Sequence, residues 1–171
     1  TFAKSFSSIG AFISAEKEVI SFLRYNIRSQ IFAKSLPMPL VIGAIKRLEM
    51  IENNPSFKDR LWEITNLLQN GLKNSGFNLG KTESCVTPVF LEGGVGEATN
   101  LTVDLRENHG IFCSIVTYPV IPKGKIMLRL IPTAVHTEDD VIKTVKAFTE
   151  VKEKLFSGQY ITEKIEKPIS E

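Results

Sequence analysis

Between residues 37 and 157 this sequence predicts an α+β fold, a small sheet covered by helices. Three observations lead there. Apolar residues recur at helical spacing at Val41, Ala44, Ile45, Leu48 and Ile51, then at Leu61, Ile64, Leu68 and Leu72. The pattern next changes to short runs rich in β-branched and aromatic residues over 86–91, 111–116 and 126–131. Finally, Thr137-Glu-Asp-Asp140 resembles a capping box, with aspartate at the third position for the usual glutamate, and it opens another apolar-periodic stretch.

Taken in order, residues 9–15 read as a short buried strand and residues 16–26 as a helix with Val19, Ile20, Phe22 and Leu23 on its apolar side. Residues 29–38 read as irregular. Pro37 and Pro39 restrict the residues before them, so the next helix is expected only after this point. Asn54-Pro55 supplies an N-cap and a first helical position for the following helix, and Gly76 a stop. A helix over residues 97–108 separates the first two strand-like runs. After Thr137, Val141, Val145, Phe148 and Leu155 share one face, and Asp139, Asp140, Lys152 and Lys154 suit the helix dipole. Residues 1–36 read as the end of a different domain, 37–157 as the α+β domain and 158–171 as a polar tail.

The 171 residues carry 21 basic and 19 acidic side chains, so no charge excess argues for nucleic acid. Cys85 and Cys113 lie in apolar runs without CxxC spacing and read as core residues of a reducing compartment, the cytoplasm. With two histidines and no carboxylate cluster, no metal site is expected. No apolar run approaches the roughly 20 residues that span a bilayer.

Four features could carry chemistry. Lys4 has two readings. An ordinary lysine is a solvated surface charge, but Phe2, Phe6, Ile9 and Phe12 make its surroundings apolar. A desolvated lysine becomes a usable amine, as a Schiff-base lysine requires. Arg129, within Ile126-Met-Leu-Arg-Leu-Ile131, is either an edge-strand arginine facing water or a cleft arginine that clamps a carboxylate. Gly93-Gly-Val-Gly96 follows a strand and opens a helix, but Thr99 takes the third glycine position of GxGxxG, so it reads as a strand-to-helix turn. His109, between Asn108 and Gly110, has a helix-end setting.

The motifs Thr1-Phe-Ala-Lys-Ser-Phe6, Arg28-Ser-Gln-Ile-Phe-Ala-Lys-Ser-Leu-Pro-Met-Pro39, Tyr118-Pro-Val-Ile-Pro-Lys-Gly124 and Ile126-Met-Leu-Arg-Leu-Ile-Pro-Thr-Ala-Val-His-Thr137 resemble, in this order, those of the α-oxoamine synthases. These are fold type I pyridoxal-phosphate enzymes that condense an amino acid with an acyl-CoA. The wording is most similar to that of the bacterial serine palmitoyltransferases, which start sphingolipid synthesis. Glycine C-acetyltransferase and 8-amino-7-oxononanoate synthase are near relatives.

The resemblance implies that the chain is the back part of a longer enzyme, inactive alone, with a small antiparallel sheet in its C-terminal domain. It implies that Lys4 carries pyridoxal 5'-phosphate and removes the α-proton, that Thr1 contacts the cofactor phosphate, and that Ser35 reaches the phosphate of a second subunit in a homodimer. Arg129 would bind the amino-acid carboxylate until it leaves as carbon dioxide. Serine and palmitoyl-CoA are the substrates it implies. Ala3 departs from the serine often found before the lysine, and Tyr118 stands where some serine palmitoyltransferases carry an arginine. A catalytically silent partner subunit and a non-enzymatic α+β binding module are the rival readings; Lys4 counts against the first.

Overall fold

A computed structural model describes residues 1–161. The chain divides into two compact units, Thr1–Pro55 and Ser56–Glu171. This division falls just after the helix that ends at Asn53, whereas the sequence reading divides the chain between residues 36 and 37, just before that helix begins at Met38.

The first unit holds a loop over residues 2–10 and three helices, α1 (Lys17–Asn26), α2 (Arg28–Phe32) and α3 (Met38–Asn53). Pro37 caps α3 and Pro39 sits in its first turn, where a missing N–H costs nothing. The segment expected to be irregular contains α2, a single turn and a half begun where α1 ends. None of the residues in these three helices is buried. The strand expected over residues 9–15 does not form. Ile9, Phe12 and Ile13 are exposed, and the stretch has no ladder partner among the described residues. An apolar run becomes a strand only where a neighbouring edge accepts its hydrogen bonds.

The second unit begins with α4 (Ser56–Asn74), followed by β1 (Thr87–Glu92), α5 (Val95–His109), β2 (Ser114–Val116), β3 (Lys125–Leu130) and α6 (Glu138–Phe156). The sheet is antiparallel in the order β1-β3-β2, so β3 is central. Strand β2 is shorter than the expected 111–116, because Ile111 is drawn into the end of α5, its N–H donating to the Leu105 carbonyl at 2.8 Å. Val89, Leu91, Ile126, Leu128 and Leu130 face inward and meet Ile64, Leu68 and Leu72 of α4, Leu101 and Leu105 of α5, and Phe148 and Val151 of α6. Burying a set of this kind is the main favourable term for the unit, on the order of 1.5–3 kcal/mol per large apolar side chain.

Glycines set two close approaches. A Cβ at Gly71 would stand 2.9 Å from Val145, which is how α4 and α6 come together. Gly93 has φ +155°, and a Cβ there would stand 2.7 Å from Ile126. The Gly93-Gly94 turn is therefore a packing and capping device: the Glu97 carboxylate accepts from the Gly94 N–H at 2.6 Å, which takes a donor a phosphate would need. The start of α6 matches expectation. Thr137 Oγ1 accepts from the Asp140 N–H at 3.2 Å, and the Thr137 N–H donates to the Asp140 carboxylate at 2.8 Å.

Past α6, Tyr160 is buried and belongs to the core, although the sequence reading begins its polar tail at 158. The remainder of that tail, residues 162–171, lies outside the described residues.

Candidate functional site

The residues singled out by sequence fall in both units: Thr1, Lys4 and Ser35 in the first, Arg129 in the second. In the first unit the 2–10 loop is closed by its own backbone. The Phe2 N–H donates to the Gly10 carbonyl at 2.8 Å and the Ser8 N–H to the Phe2 carbonyl at 3.0 Å. Lys4 opens the turn at the tip, its carbonyl accepting from the Ser7 N–H at 2.9 Å. Ser7 itself has φ +43°, a left-handed conformation that a non-glycine residue adopts only when its surroundings hold it there. Phe6 and Phe12 pack their rings against Phe2, with centroids 5.4 and 5.9 Å away.

The apolar flanks do not desolvate Lys4. Its side chain is exposed, because the phenylalanines pack on one another and not over the amine. Thr1 Oγ1 accepts from the Ala3 N–H at 3.2 Å and donates to the Gly10 carbonyl at 3.4 Å. At Gly10, φ is +113° and a Cβ would stand 2.8 Å from a Leu36 methyl carbon. Only glycine fits there, and that contact brings the segment carrying Ser35 against the lysine loop. Ser8 contributes a buried hydroxyl with no hydrogen-bond partner among the described residues. An aldehyde bearing a phosphate needs an accessible primary amine and nearby hydroxyl donors. Lys4 supplies the amine and Ser8 the unpartnered hydroxyl, with the Thr1 hydroxyl free to serve only by leaving its 3.4 Å bond to Gly10, and on this donor set the loop fits pyridoxal phosphate.

In the second unit Arg129 lies on the central strand, so it is not the edge-strand arginine of the first reading. It points away from the core, on the face shared with Lys125 and Met127. Its Nε donates to Ser114 Oγ at 3.0 Å, and Ser114 is its direct neighbour across to β2. Arg129 has no ion pair among the described residues, while Lys125 on the same face is paired with Glu92. Sequence alone does not single out Ser114, since its role depends on strand register.

Two further clusters emerge from the fold. A cavity of about 290 Å³ is lined by both histidines, His109 and His136, with Asp140, Lys143 and apolar walls including Leu68 and Leu130. His136 Nδ1 accepts from the Thr133 N–H at 2.9 Å, which leaves the proton of the neutral ring on Nε2. His109 Nε2 is buried and unbonded, 3.9 Å from the Glu150 carboxylate. Elsewhere, Asp104 is buried with three donors: Asn108 at 2.6 Å, Lys154 at 2.7 Å and the Tyr160 hydroxyl. Burial alone would raise the Asp104 carboxyl, but these hydrogen bonds and the Lys154 charge hold it well below the carboxylate range. Burial and the neighbouring Asp104 push the Tyr160 hydroxyl the other way, upward. Cys113 is likewise pushed up by burial, to about 11, which leaves an unreactive thiol.

With these elements in view, the chain belongs to the aminotransferase class I and II family, whose profile matches residues 1–148. Among individual proteins, it is 57% identical to a cysteate-C-fatty acyltransferase of Capnocytophaga ochracea, over 94% of this chain and 38% of that protein. It is 32% identical to a serine palmitoyltransferase of Sphingobacterium spiritivorum, over 88% of this chain and 37% of that protein. A solved structure of SPT with a PLP internal aldimine matches 91% of this chain and 39% of its own, with TM-score 0.78 and 28% identity. The small antiparallel sheet with its helices is thus the corresponding part of a fold type I enzyme. The chain spans under two-fifths of the length of these relatives. Among the described residues no helix is long and apolar enough to cross a membrane.

Proposed function

We propose that this chain is the C-terminal part of a pyridoxal-phosphate enzyme that joins cysteate to a fatty acyl group delivered as a CoA thioester, with loss of carbon dioxide. The observation that carries the choice of amino acid is the 57% identity with a cysteate-C-fatty acyltransferase, against 32% with a serine palmitoyltransferase. Serine with palmitoyl-CoA is the second reading, supported by the SPT likeness in fold and by the motifs around Lys4 and Arg129.

In either case the residues do the same work. Lys4 would hold the cofactor through its amine and, once the substrate's amino group has displaced it, would take the substrate's α-proton on the freed Nζ. Thr1 donates to the cofactor phosphate, and Ser35 to that of a second copy in a homodimer. When bound, the cofactor supplies an electron sink for the pair left as the α C–H bond breaks. Arg129 holds the substrate carboxylate through its guanidinium fork, fixing the orientation of the α-carbon until that carboxylate departs. The unpaired cysteines suit a reducing compartment such as the cytoplasm.

The test is CoA release by the intact enzyme offered cysteate plus palmitoyl-CoA, serine plus palmitoyl-CoA, or glycine plus acetyl-CoA. The expected result is release with cysteate, abolished in Lys4→Ala. Release with serine alone would move the function to the second reading. Release with glycine alone would remove both while keeping the fold and Lys4.

A further inference from the structure

On the sheet face that carries Arg129, the described charged groups are Glu92, Lys125 and Arg129 itself. Glu92 and Lys125 sit opposite each other and form an ion pair. Arg129 is four residues further along β3, about 13 Å away at the usual strand rise. No carboxylate on this face therefore competes for its guanidinium.

A guanidinium can receive a carboxylate on two edges, the side edge formed by Nε and one Nη, or the end formed by both Nη atoms. Here Ser114 Oγ occupies Nε at 3.0 Å. Because Ser114 and Arg129 are paired in register, this contact is held by the backbone ladder on both sides. The side edge is consumed, and the end edge has no hydrogen-bond partner among the described residues. A long side chain that would otherwise sample many rotamers is restrained before any ligand arrives.

We propose that Ser114 is a positioning residue for substrate recognition: it pins Arg129 so that the two Nη atoms receive the amino-acid carboxylate end-on. This rests on the Arg129 role given above. Ser114 need not touch the substrate. Its contribution is to reduce the ordering that binding requires, and it acts only through a partner that has an Nε–H. Lysine has none, so the effect of Ser114 should vanish when residue 129 is lysine.

The experiment uses the intact holoenzyme and four variants, Ser114→Ala, Ser114→Thr, Arg129→Lys and the double Ser114→Ala/Arg129→Lys. Cysteate Kd is read by calorimetry, and KM for cysteate and palmitoyl-CoA by CoA release. Ser114→Ala should weaken cysteate about tenfold, the factor that corresponds to about 1.4 kcal/mol, without raising the KM for palmitoyl-CoA. Ser114→Thr, which keeps the hydroxyl, should restore most of the affinity. Adding Ser114→Ala to Arg129→Lys should change cysteate affinity less than about twofold, as a pair coupled through one contact requires. An equal penalty in both backgrounds, or cysteate affinity unchanged in Ser114→Ala while Arg129→Lys weakens it, overturns the role of Ser114 and leaves Arg129 in place. Cysteate affinity unchanged in Arg129→Lys overturns the carboxylate role of Arg129 and, with it, that of Ser114.

Discussion

Helix α1 and helix α6 are both strongly amphipathic, yet Phe22 of α1 is 64% exposed while Phe148 of α6 is fully buried. The difference is not in the helices but in what stands opposite them. Helix α6 has α4, α5 and the β1-β3-β2 sheet to cover its apolar face, whereas no residue of α1, α2 or α3 is buried. An amphipathic pattern says which side of a helix wants a partner. It does not say that the partner is within reach.

The largest expected effect breaks that comparison directly. Phe148 packs edge-on against Phe77, with centroids 6.0 Å apart, in the middle of the core. Phe148→Ala should cost the second unit roughly 3–5 kcal/mol through lost burial and an unfilled cavity. Phe22→Ala in the 171-residue chain should change stability by less than about 0.5 kcal/mol. Denaturant unfolding of both variants checks this, and a comparable loss at Phe22 would mean that α1 is packed after all.

Next in size is the Asp104 cluster, which has no counterpart in the first unit. Asp104→Ala should cost about 3 kcal/mol, since it strands Lys154 and the Tyr160 hydroxyl beside a buried site. The pH dependence has a definite sign. The folded carboxyl lies below its unfolded value, so the stabilisation is fully present above about pH 4 and is lost as pH falls toward the folded value. Acid unfolding of the wild type should therefore steepen below about pH 4, and Asp104→Ala should flatten that limb. Tyr160→Phe removes one donor and keeps the ring, so its cost should be nearer 1 kcal/mol.

How much of this was legible in the sequence follows from the same contrast. The second unit was read nearly element by element, because helical period, β-branched runs and the Thr137–Asp140 cap are local signals that local partners satisfy. Residues 9–15 were misread because a buried strand and an exposed extended run have the same composition. Arg129 stands out in the sequence as a candidate, but its place on a central strand does not, since strand order is a property of pairing. Lys4 is a candidate by motif alone, whereas the apolar flanks expected to bury it pack on each other. Ser114 and the pairing of His109 with His136 around one cavity could not be read at all. They depend on register and on the turn at Gly110, which brings residues distant in sequence together.

The smallest effects compare the two helix starts. Thr137 caps α6 through its hydroxyl, while Glu16 at the start of α1 makes no side-chain capping bond. Thr137→Ala should destabilise the second unit by about 1 kcal/mol, because α6 can fray only by loosening the core it covers. Glu16→Ser supplies the missing acceptor, and in isolation it should favour α1 by a similar or smaller amount. That gain should remain local. With no buried residue on α1, the helix opens without exposing a buried core, so the substitution should slow hydrogen exchange of the α1 amides and leave the global unfolding midpoint where it was. A shift in the global midpoint would show that α1 is coupled to the rest of the fold, and the contrast between the two regions would then be one of degree.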